Sequence, residues 1–230
     1  MRYNELMHFS LSTEPEPLIA AVTTAIFDHL RAGRRVLWLL AGGSAIPVEV
    51  AIAKRLRTSG TSLESLTVTL TDERYGPVGH ADSNWQQLET AGFVLPGARL
   101  QPVLSEGASL EQTAQTFAAF LGDALSTHDY RLGLFGIGAD GHTAGVLPHS
   151  PAVAATALAA SYDAAPYQRV TMTFPAIKQL DEAMVYAIGK DKWPVLDQLQ
   201  TDISLDDQPA QMLKQVPRFT IFNDHIGESV

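Results

Sequence analysis

The chain has 230 residues, of which 46% are hydrophobic and 18% are charged, a composition typical of a globular protein with a continuous apolar core. Its formal net charge of −9 argues against a nucleic-acid partner, because binding the phosphates of a duplex requires a basic surface. The absence of cysteine excludes disulfides, thiolate nucleophiles, thiolate-bound zinc and iron–sulfur clusters.

The first ten residues lack the pattern of a signal peptide. Arg2, Glu5 and His8 interrupt the stretch that would have to be apolar, and no run in the chain approaches the ~20 apolar residues of a membrane span. We therefore expect a cytoplasmic location and no membrane partner.

In chain order, the first predicted element is a helix. Thr13 and Glu16 have the spacing of a capping box, and apolar residues then recur at helical intervals until near Gly33. The apolar run 36–40 is stopped by two glycines, which indicates a strand buried on both faces. Further strands are predicted at 66–70, 132–137, 170–173, 183–188 and 219–222, and helices at 48–56, 84–90, 110–125 (behind a Ser109/Gln112 capping box), 176–180 and 193–199.

The alternation of these strands and helices predicts an α/β fold with a mostly parallel, Rossmann-like sheet and helices on both faces. No linker, internal repeat or low-complexity tract interrupts the pattern, so we expect residues 1–230 to form a single domain. The alanine-rich stretch 152–165 is predicted to be a surface helix and loop.

Ligands of an open parallel sheet bind beyond the carboxyl ends of its strands, so the residues after each strand are candidates for a site. Gly42, Gly43 and Ser44 follow the strand 36–40 and precede a predicted helix. The glycines let the backbone approach an anion, and the helix N-terminus offers unpaired N–H groups. The alternative is a tight turn in which Ser44 caps the helix, and the spacing alone does not choose between the two.

Charged residues crowd behind the predicted strand 66–70. Asp72 and Arg74 must either pair with other charges or face a ligand, because burying them unpaired is costly. The planar guanidinium of Arg74 has the donor geometry that binds a phosphate or a carboxylate. A salt-bridge cluster in a solvated loop is the alternative.

The third candidate is the glycine-rich segment 136–145. Three of its glycines have the spacing of a dinucleotide-binding fingerprint. We reject that interpretation, because Asp140 would set a carboxylate beside the pyrophosphate and no second strand ending in a ribose-binding acid follows. An unperturbed imidazole titrates near pH 6.5, so His142 is instead a candidate general base that Asp140 could orient.

Two further cations flank predicted strands. Lys190 follows the strand 183–188 and therefore lies at the ligand end, whereas Arg169 precedes the strand 170–173 and is expected on the opposite surface. The histidines lack metal-ligand spacing and no G-x-S-x-G elbow is present, so we expect neither a metal nor a serine hydrolase.

Five parts of the sequence, in order, resemble sequence blocks of the 6-phosphogluconolactonases. They are LAGGSAIP, TDERYGP with DSNWQQL, GIGADGHTAGVLP, RVTMTFPAI and AIGKDKW, and together they span residues 40–193. The resemblance implies the fold group shared with glucosamine-6-phosphate deaminase, ribose-5-phosphate isomerase and CoA-transferase-like proteins. It also implies hydrolysis of a phosphosugar lactone, 6-phospho-D-glucono-1,5-lactone, to 6-phosphogluconate in the pentose phosphate pathway, without a cofactor.

Residue by residue, the resemblance implies that His142 is the catalytic base, with Asp72 and Arg74 in the active site. It further implies that the turn of Gly42, Gly43 and Ser44 holds the phosphate with help from two cations, Arg169 and Lys190. For Arg169 this implication conflicts with the strand-end argument.

Two residues depart from the family pattern, and two other functions stay open. Ala45 and Gly145 stand where the family usually has hydroxyl residues, so two candidate donors are missing. One alternative function is a glucosamine-6-phosphate deaminase, whose family typically has tyrosine in place of Arg74. The other is a sugar-phosphate-sensing module without catalysis. A monomer and a weak homodimer are both compatible with the sequence.

Overall fold

The computed structural model describes residues 7–227. The strands are β1 (Met7–Leu11), β2 (Val36–Leu40), β3 (Leu66–Leu70), β4 (Asp72–Tyr75), β5 (Arg99–Leu100), β6 (Tyr130–Phe135), β7 (Ala159–Ala164), β8 (Tyr167–Met172), β9 (Glu182–Ala187) and β10 (Arg218–Asn223). The α-helices are α1 (Glu16–Arg31), α2 (Ile46–Thr58), α3 (Asn84–Thr90), α4 (Leu110–Thr127), α5 (Phe174–Ile177) and α6 (Trp193–Leu199). Short 3-10 helices at Gly43–Ala45 and Pro209–Gln215 precede α2 and β10.

Seven strands form one parallel sheet in the order β1-β10-β9-β6-β2-β3-β5. The central strands β2 and β3 are buried at every residue, which requires cover on both faces of the sheet. Their bounds agree with the predicted runs 36–40 and 66–70, and the predicted α/β class with a mostly parallel sheet is confirmed. The carboxyl ends of the strands share one edge, and the predicted turns follow them there.

A second sheet of three antiparallel strands, β4-β8-β7, adjoins this edge. The two sheets are connected through Thr71, the single residue between β3 and β4. Its amide donates to the Leu40 carbonyl (2.7 Å), and its own carbonyl accepts from the Met172 amide (2.8 Å). The chain therefore passes from one sheet into the other without a loop.

Two predictions fail in this second sheet. The alanine-rich stretch 152–165 contains β7, whose Ala159 and Tyr162 are buried, and is not a surface helix and loop. The predicted strand 170–173 is the end of β8, which is antiparallel and does not belong to the large sheet. The rule that ligands bind at the carboxyl ends of parallel strands therefore does not apply to β8, and it cannot predict where the first residues of β8 lie.

The start of the first helix also differs from the prediction. The N-cap of α1 is Pro15 and no side chain caps it, so the Thr13/Glu16 capping box is wrong. Proline fixes φ near its helical value, and the prolines of this first turn therefore define the start without a cap. The Ser109/Gln112 capping box of α4 is confirmed by reciprocal hydrogen bonds of 3.2 and 2.9 Å.

Buried apolar side chains form a continuous cluster around the parallel sheet, with Trp38, Phe135 and Phe219 among the largest. Close packing of this kind gives the turns at the sheet edge a rigid base. None of the helices in the described part of the chain has both the length and the apolar character that crossing a membrane requires.

Candidate active site

An open cavity of about 270 Å³ lies where the two sheets meet. Most of the site residues predicted from the sequence line it: Gly42, Gly43, Ser44, Asp72, Arg74, His142 and Arg169. One cation that was not predicted, Lys192, lines it as well. Asp140 contacts the ring of His142. Lys190 is not among the lining residues.

The alternation of side chains along β4 separates a binding face from a structural one. Asp72 and Arg74 line the cavity, whereas Glu73 between them is buried. The Glu73 carboxylate accepts hydrogen bonds from the amides of Arg74, Asn84 and Trp85 (2.7, 2.6 and 3.1 Å) and from the Ser83 hydroxyl (2.9 Å). Glu73 thus ties the start of α3 to β4 and keeps the two neighbouring side chains aimed at the cavity.

Asp72 lies at the floor of the cavity next to a cation. Its Oδ2 is 3.7 Å from Nη1 of Arg169, and its Oδ1 accepts from the Thr71 hydroxyl (3.0 Å). Burial raises the pKa of the Asp72 carboxyl, and Arg169 and Thr71 oppose that shift by favouring the ionised form.

Arg74 and Arg169 face each other directly across the β4–β8 pair. The Arg74 guanidinium stacks on the Tyr167 ring at 4.8 Å and donates to the Asp82 carbonyl at 3.2 Å. The Nε atoms of both arginines are buried and have no hydrogen-bond partner among the residues that the structure describes. Like charges opposite each other are destabilising, so this pair of arginines favours a bound anion.

The position of Arg169 corrects the strand-end argument, which placed it on the opposite surface. Arg169 would lie on the opposite surface only if β8 belonged to the parallel sheet. Because β8 runs antiparallel to β4 in the second sheet, Arg169 lies beside Asp72 and in the cavity, as the family resemblance implies.

The turn between β2 and α2 brings backbone close to the cavity. Gly43 has a φ of +64°, and a Cβ on Gly42 would overlap the side chain of Asn84, whose amide donates to the Asp72 carbonyl (3.0 Å). Both positions therefore require glycine. Ser44 does not cap the helix, because the N-cap of α2 is Ala45; Ser44 lines the cavity instead.

The glycine-rich turn after β6 presents a histidine–carboxylate pair. His142 Nδ1 is 2.6 Å from Asp140 Oδ1, and the His142 amide donates to the same oxygen at 3.2 Å. The hydrogen bond with His142 lowers the pKa of Asp140 to about 2, so Asp140 is ionised at neutral pH. With Nδ1 donating to Asp140, Nε2 is the free acceptor of the neutral imidazole.

Two glycines of this turn are required by their neighbours. A Cβ on Gly138 would overlap both the His142 ring and the Asp140 carboxylate. A Cβ on Gly145 would lie 2.9 Å from Cβ of Thr171 and 3.1 Å from Cβ of Asp72. Glycine at residue 145, where the family usually has a hydroxyl residue, therefore lets the turn approach the second sheet closely. There the Gly145 amide donates to the Thr171 hydroxyl (3.0 Å).

The lysine that lines the cavity is Lys192 and not the predicted Lys190. Lys190 is exposed and lies over the Trp193 ring at 5.6 Å, whereas the Lys192 side chain is only 23% exposed. Lys190 is the first cation after β9, but the chain forms a closed turn there, with the Lys192 amide donating to the Gly189 carbonyl (2.9 Å). The spacing of Gly189 and Lys192, three residues apart, is the sequence feature that could have indicated this turn.

Within the described residues, no group of three or more histidine, aspartate and glutamate side chains could hold a metal ion. The chemistry that the described groups can perform is proton transfer at His142 and electrostatic binding of an anion by Arg74, Arg169 and Lys192.

Comparison with known proteins connects this cavity to a family. Residues 15–221 match the family described as glucosamine-6-phosphate isomerases/6-phosphogluconolactonase. The chain is 29% identical over 196 residues to a 6-phosphogluconolactonase of Synechocystis sp., and the match covers 80% of this chain and 79% of the relative.

The fold of this chain is also similar to solved structures of the same family. The crystal structure of 6-phosphogluconolactonase from Thermotoga maritima superposes with a TM-score of 0.80 at 19% sequence identity. The superposition covers 95% of this chain and 98% of the Thermotoga chain. A monomeric glucosamine-6-phosphate deaminase has a TM-score of 0.75 at 18% identity and covers 94% of this chain and 97% of its own. One fold therefore carries both named activities, and only the residues of the site can separate them.

Proposed function

Because the chain belongs to the glucosamine-6-phosphate isomerase/6-phosphogluconolactonase family, which confirms the resemblance, we propose that it hydrolyses 6-phospho-D-glucono-1,5-lactone to 6-phosphogluconate. The reaction belongs to the pentose phosphate pathway. The proposal rests mainly on one observation: the His142–Asp140 pair and the Arg74–Arg169 pair contribute to the same cavity. The two pairs provide the base for hydrolysis and the charge for an anionic substrate.

In the proposed mechanism, Nε2 of His142 takes a proton from a water molecule as its oxygen attacks the lactone carbonyl. The resulting imidazolium is stabilised by the Asp140 carboxylate at Nδ1. An arginine at the cavity wall stabilises the negative charge that develops on the carbonyl oxygen. The imidazolium then returns its proton to the ring oxygen as the carbon–oxygen bond breaks, which opens the ring and leaves the acid.

The phosphate of the substrate binds away from the reacting carbon. We assign it to the turn of Gly42, Gly43 and Ser44, with Lys192 and Arg169 as the cations. Asp72 orients Arg169 through the 3.7 Å contact. Binding of the remote phosphate holds the carbonyl near His142, so a lactone without phosphate is expected to be a poor substrate.

The test is a kinetic assay with fresh 6-phosphogluconolactone, in which 6-phosphogluconate is followed above the rate of spontaneous hydrolysis. His142→Asn is expected to lower kcat by about 10²- to 10⁴-fold, the usual contribution of a general base. His149→Asn is the matched control, because His149 is exposed and pairs with Asp206 (2.9 Å) outside the cavity. The control should keep the wild-type rate.

Three outcomes would contradict the proposal. Near-normal turnover of the His142→Asn variant would remove the imidazole from the mechanism. Release of ammonia from glucosamine 6-phosphate, without lactone hydrolysis, would identify a deaminase. Binding of a sugar phosphate with neither product would identify a sensor.

A further inference from the structure

Lys192 is presented to the cavity by a short closed turn between β9 and α6. Gly189 has a φ of +112°, which favours glycine at this position. The Lys192 amide donates to the Gly189 carbonyl (2.9 Å), and the Trp193 amide donates to the Lys190 carbonyl (3.3 Å). The position of the Lys192 backbone is therefore set by residues 189–193 as a unit.

Both ends of this turn are held by one carboxylate from the last part of the described chain. The amide of Gly189 lies 3.2 Å from each carboxylate oxygen of Asp224, and the indole N–H of Trp193 donates to Asp224 Oδ1 (3.0 Å). Partial burial disfavours the charge, yet the hydrogen bonds from Trp193 and Gly189 keep the pKa of Asp224 below its usual range. Asp224 is thus a charged acceptor across the base of the turn.

The segment that carries Asp224 is itself fixed to the large sheet. Asn223, the last residue of β10, is fully buried, and its side-chain oxygen accepts from the amides of His225 (2.9 Å) and Ile226 (2.5 Å). The His225 ring stacks on Trp193, with ring centres 4.7 Å apart and planes 7° apart. The support for Asp224 is therefore rigid.

We propose that Asp224 is a positioning residue for Lys192: by holding Gly189 and Trp193 together it fixes where the Lys192 ammonium lies in the cavity. This inference rests on the proposed function in one respect, since the anion that Lys192 binds is taken to be the substrate phosphate. A lysine side chain has many rotamers, so two features limit the positions that its ammonium can reach: the backbone turn, and the Asp191 carboxylate of the same turn, whose Oδ2 is 3.5 Å from Lys192 Nζ. Loosening the turn should weaken phosphate binding and leave proton transfer at His142 unchanged.

The experiment compares Asp224→Ala, Asp224→Asn and Trp193→Phe in the full-length protein. The measured quantities are KM for the phosphorylated lactone, kcat, and the inhibition constant of inorganic phosphate. Asp224→Ala is expected to raise KM and the phosphate inhibition constant at least tenfold, with kcat within about threefold of wild type. Asp224→Asn keeps an acceptor, and Trp193→Phe removes only the indole donor, so both should give smaller increases.

The matched control is Asp197→Asn, which removes the negative charge that pairs with His225 Nε2 (2.9 Å) and leaves all the hydrogen bonds of Asp224 in place. It should leave the phosphate inhibition constant unchanged. A double-mutant cycle with Lys192→Ala separates positioning from a general structural effect. Once Lys192 is absent, Asp224→Ala should have no further effect on KM.

The inference is wrong if Asp224→Ala raises KM as much in the Lys192→Ala background as in wild type, or if it lowers kcat alone. If the wild-type protein hydrolyses no lactone, the proposed function fails on its own. The same cycle, measured as the affinity for inorganic phosphate by titration calorimetry, would then still decide whether Asp224 acts through Lys192.

Discussion

The two sheets of this protein differ in sequence character and in what each contributes to the cavity. The strands of the large parallel sheet are mostly apolar runs, and the turns after them present glycines and the His142–Asp140 pair. The strands of the small antiparallel sheet are mixed, such as DERY in β4 and YQRVTM in β8, and they carry Arg74 and Arg169. The comparison indicates that the groups proposed for proton transfer and the arginines proposed to bind the anion come from separate sheets.

The largest effect is expected from removing the arginine of the small sheet that contacts Asp72. We expect Arg169→Ala to lower kcat/KM at least a hundredfold, because it removes a binding cation and leaves the buried Asp72 without its neutralising charge. Steady-state kinetics provide the measurement.

The control for Arg169→Ala is Arg55→Ala, which breaks a surface ion pair with Glu16 (2.6 Å) on the helices. It should change kcat/KM by less than twofold, since exposed pairs contribute little. Wild-type activity of the Arg169→Ala variant would mean that Arg169 is not needed to bind the substrate.

The second prediction concerns the connection between the sheets and is an effect on stability. Glu73→Ala removes the acceptor of four hydrogen bonds, of which three join β4 to the start of α3 and one comes from the neighbouring Arg74 amide. We expect it to lower the free energy of unfolding by about 2–4 kcal/mol, measured by urea denaturation. Glu64→Ala, at an exposed glutamate, should change it by less than about 0.5 kcal/mol. Equal values for the two variants would show that Glu73 holds nothing together.

The smallest effect is expected beside the large sheet, at the buried Glu49 of α2, whose Oε1 accepts from the Ala41 amide that follows β2 (2.6 Å). Burial raises the pKa of Glu49 well above its ordinary value, and the Ala41 hydrogen bond only partly opposes this. In the unfolded chain the glutamate ionises near pH 4.5. The folded state must keep its proton at higher pH, so its stability falls as pH rises from there toward the folded pKa.

The variant that tests this is Glu49→Gln, which keeps an acceptor for Ala41 and cannot ionise. Between pH 5 and pH 8, the unfolding free energy of the wild-type protein should fall relative to that of Glu49→Gln, because only the wild-type side chain can ionise. Urea denaturation at the two pH values measures the difference, with Glu64→Gln as the control at an exposed site. Parallel pH profiles would refute the expected protonation of Glu49.

The same contrast between the sheets explains how much of the structure the sequence predicts. The bounds of β2, β3, α3 and α6 agree with prediction because the local sequence defines them: apolar runs for the strands, the Ser83 cap for α3 and a proline in the first turn of α6. The strands β4 and β7 were not predicted at all, because their pairing depends on β8 and neither contains an apolar run. The parallel class is visible in the sequence, and the second sheet is not.

The site residues carried by the large sheet were also easier to predict than those carried by the small sheet. The turns after β2 and β6 were found, since they lie directly behind apolar strands and contain glycine. Arg169 was misplaced by an assumption about strand direction, and Lys192 was missed because the chain turns back on itself after Gly189. The family resemblance supplied Arg169, which shows that the missing information was long-range pairing rather than residue chemistry.

The tight fit around Gly138 has a consequence for redesign of substrate preference. Any side chain at that position would evict the imidazole, so a library that varies this turn can return active clones only with glycine there. The loop between β4 and α3 is less constrained, and Val78 on that loop is 47% exposed. Substitutions intended to change the substrate preference should therefore begin at exposed residues of the cavity edge, and the glycine-rich turn that carries His142 should be left unchanged.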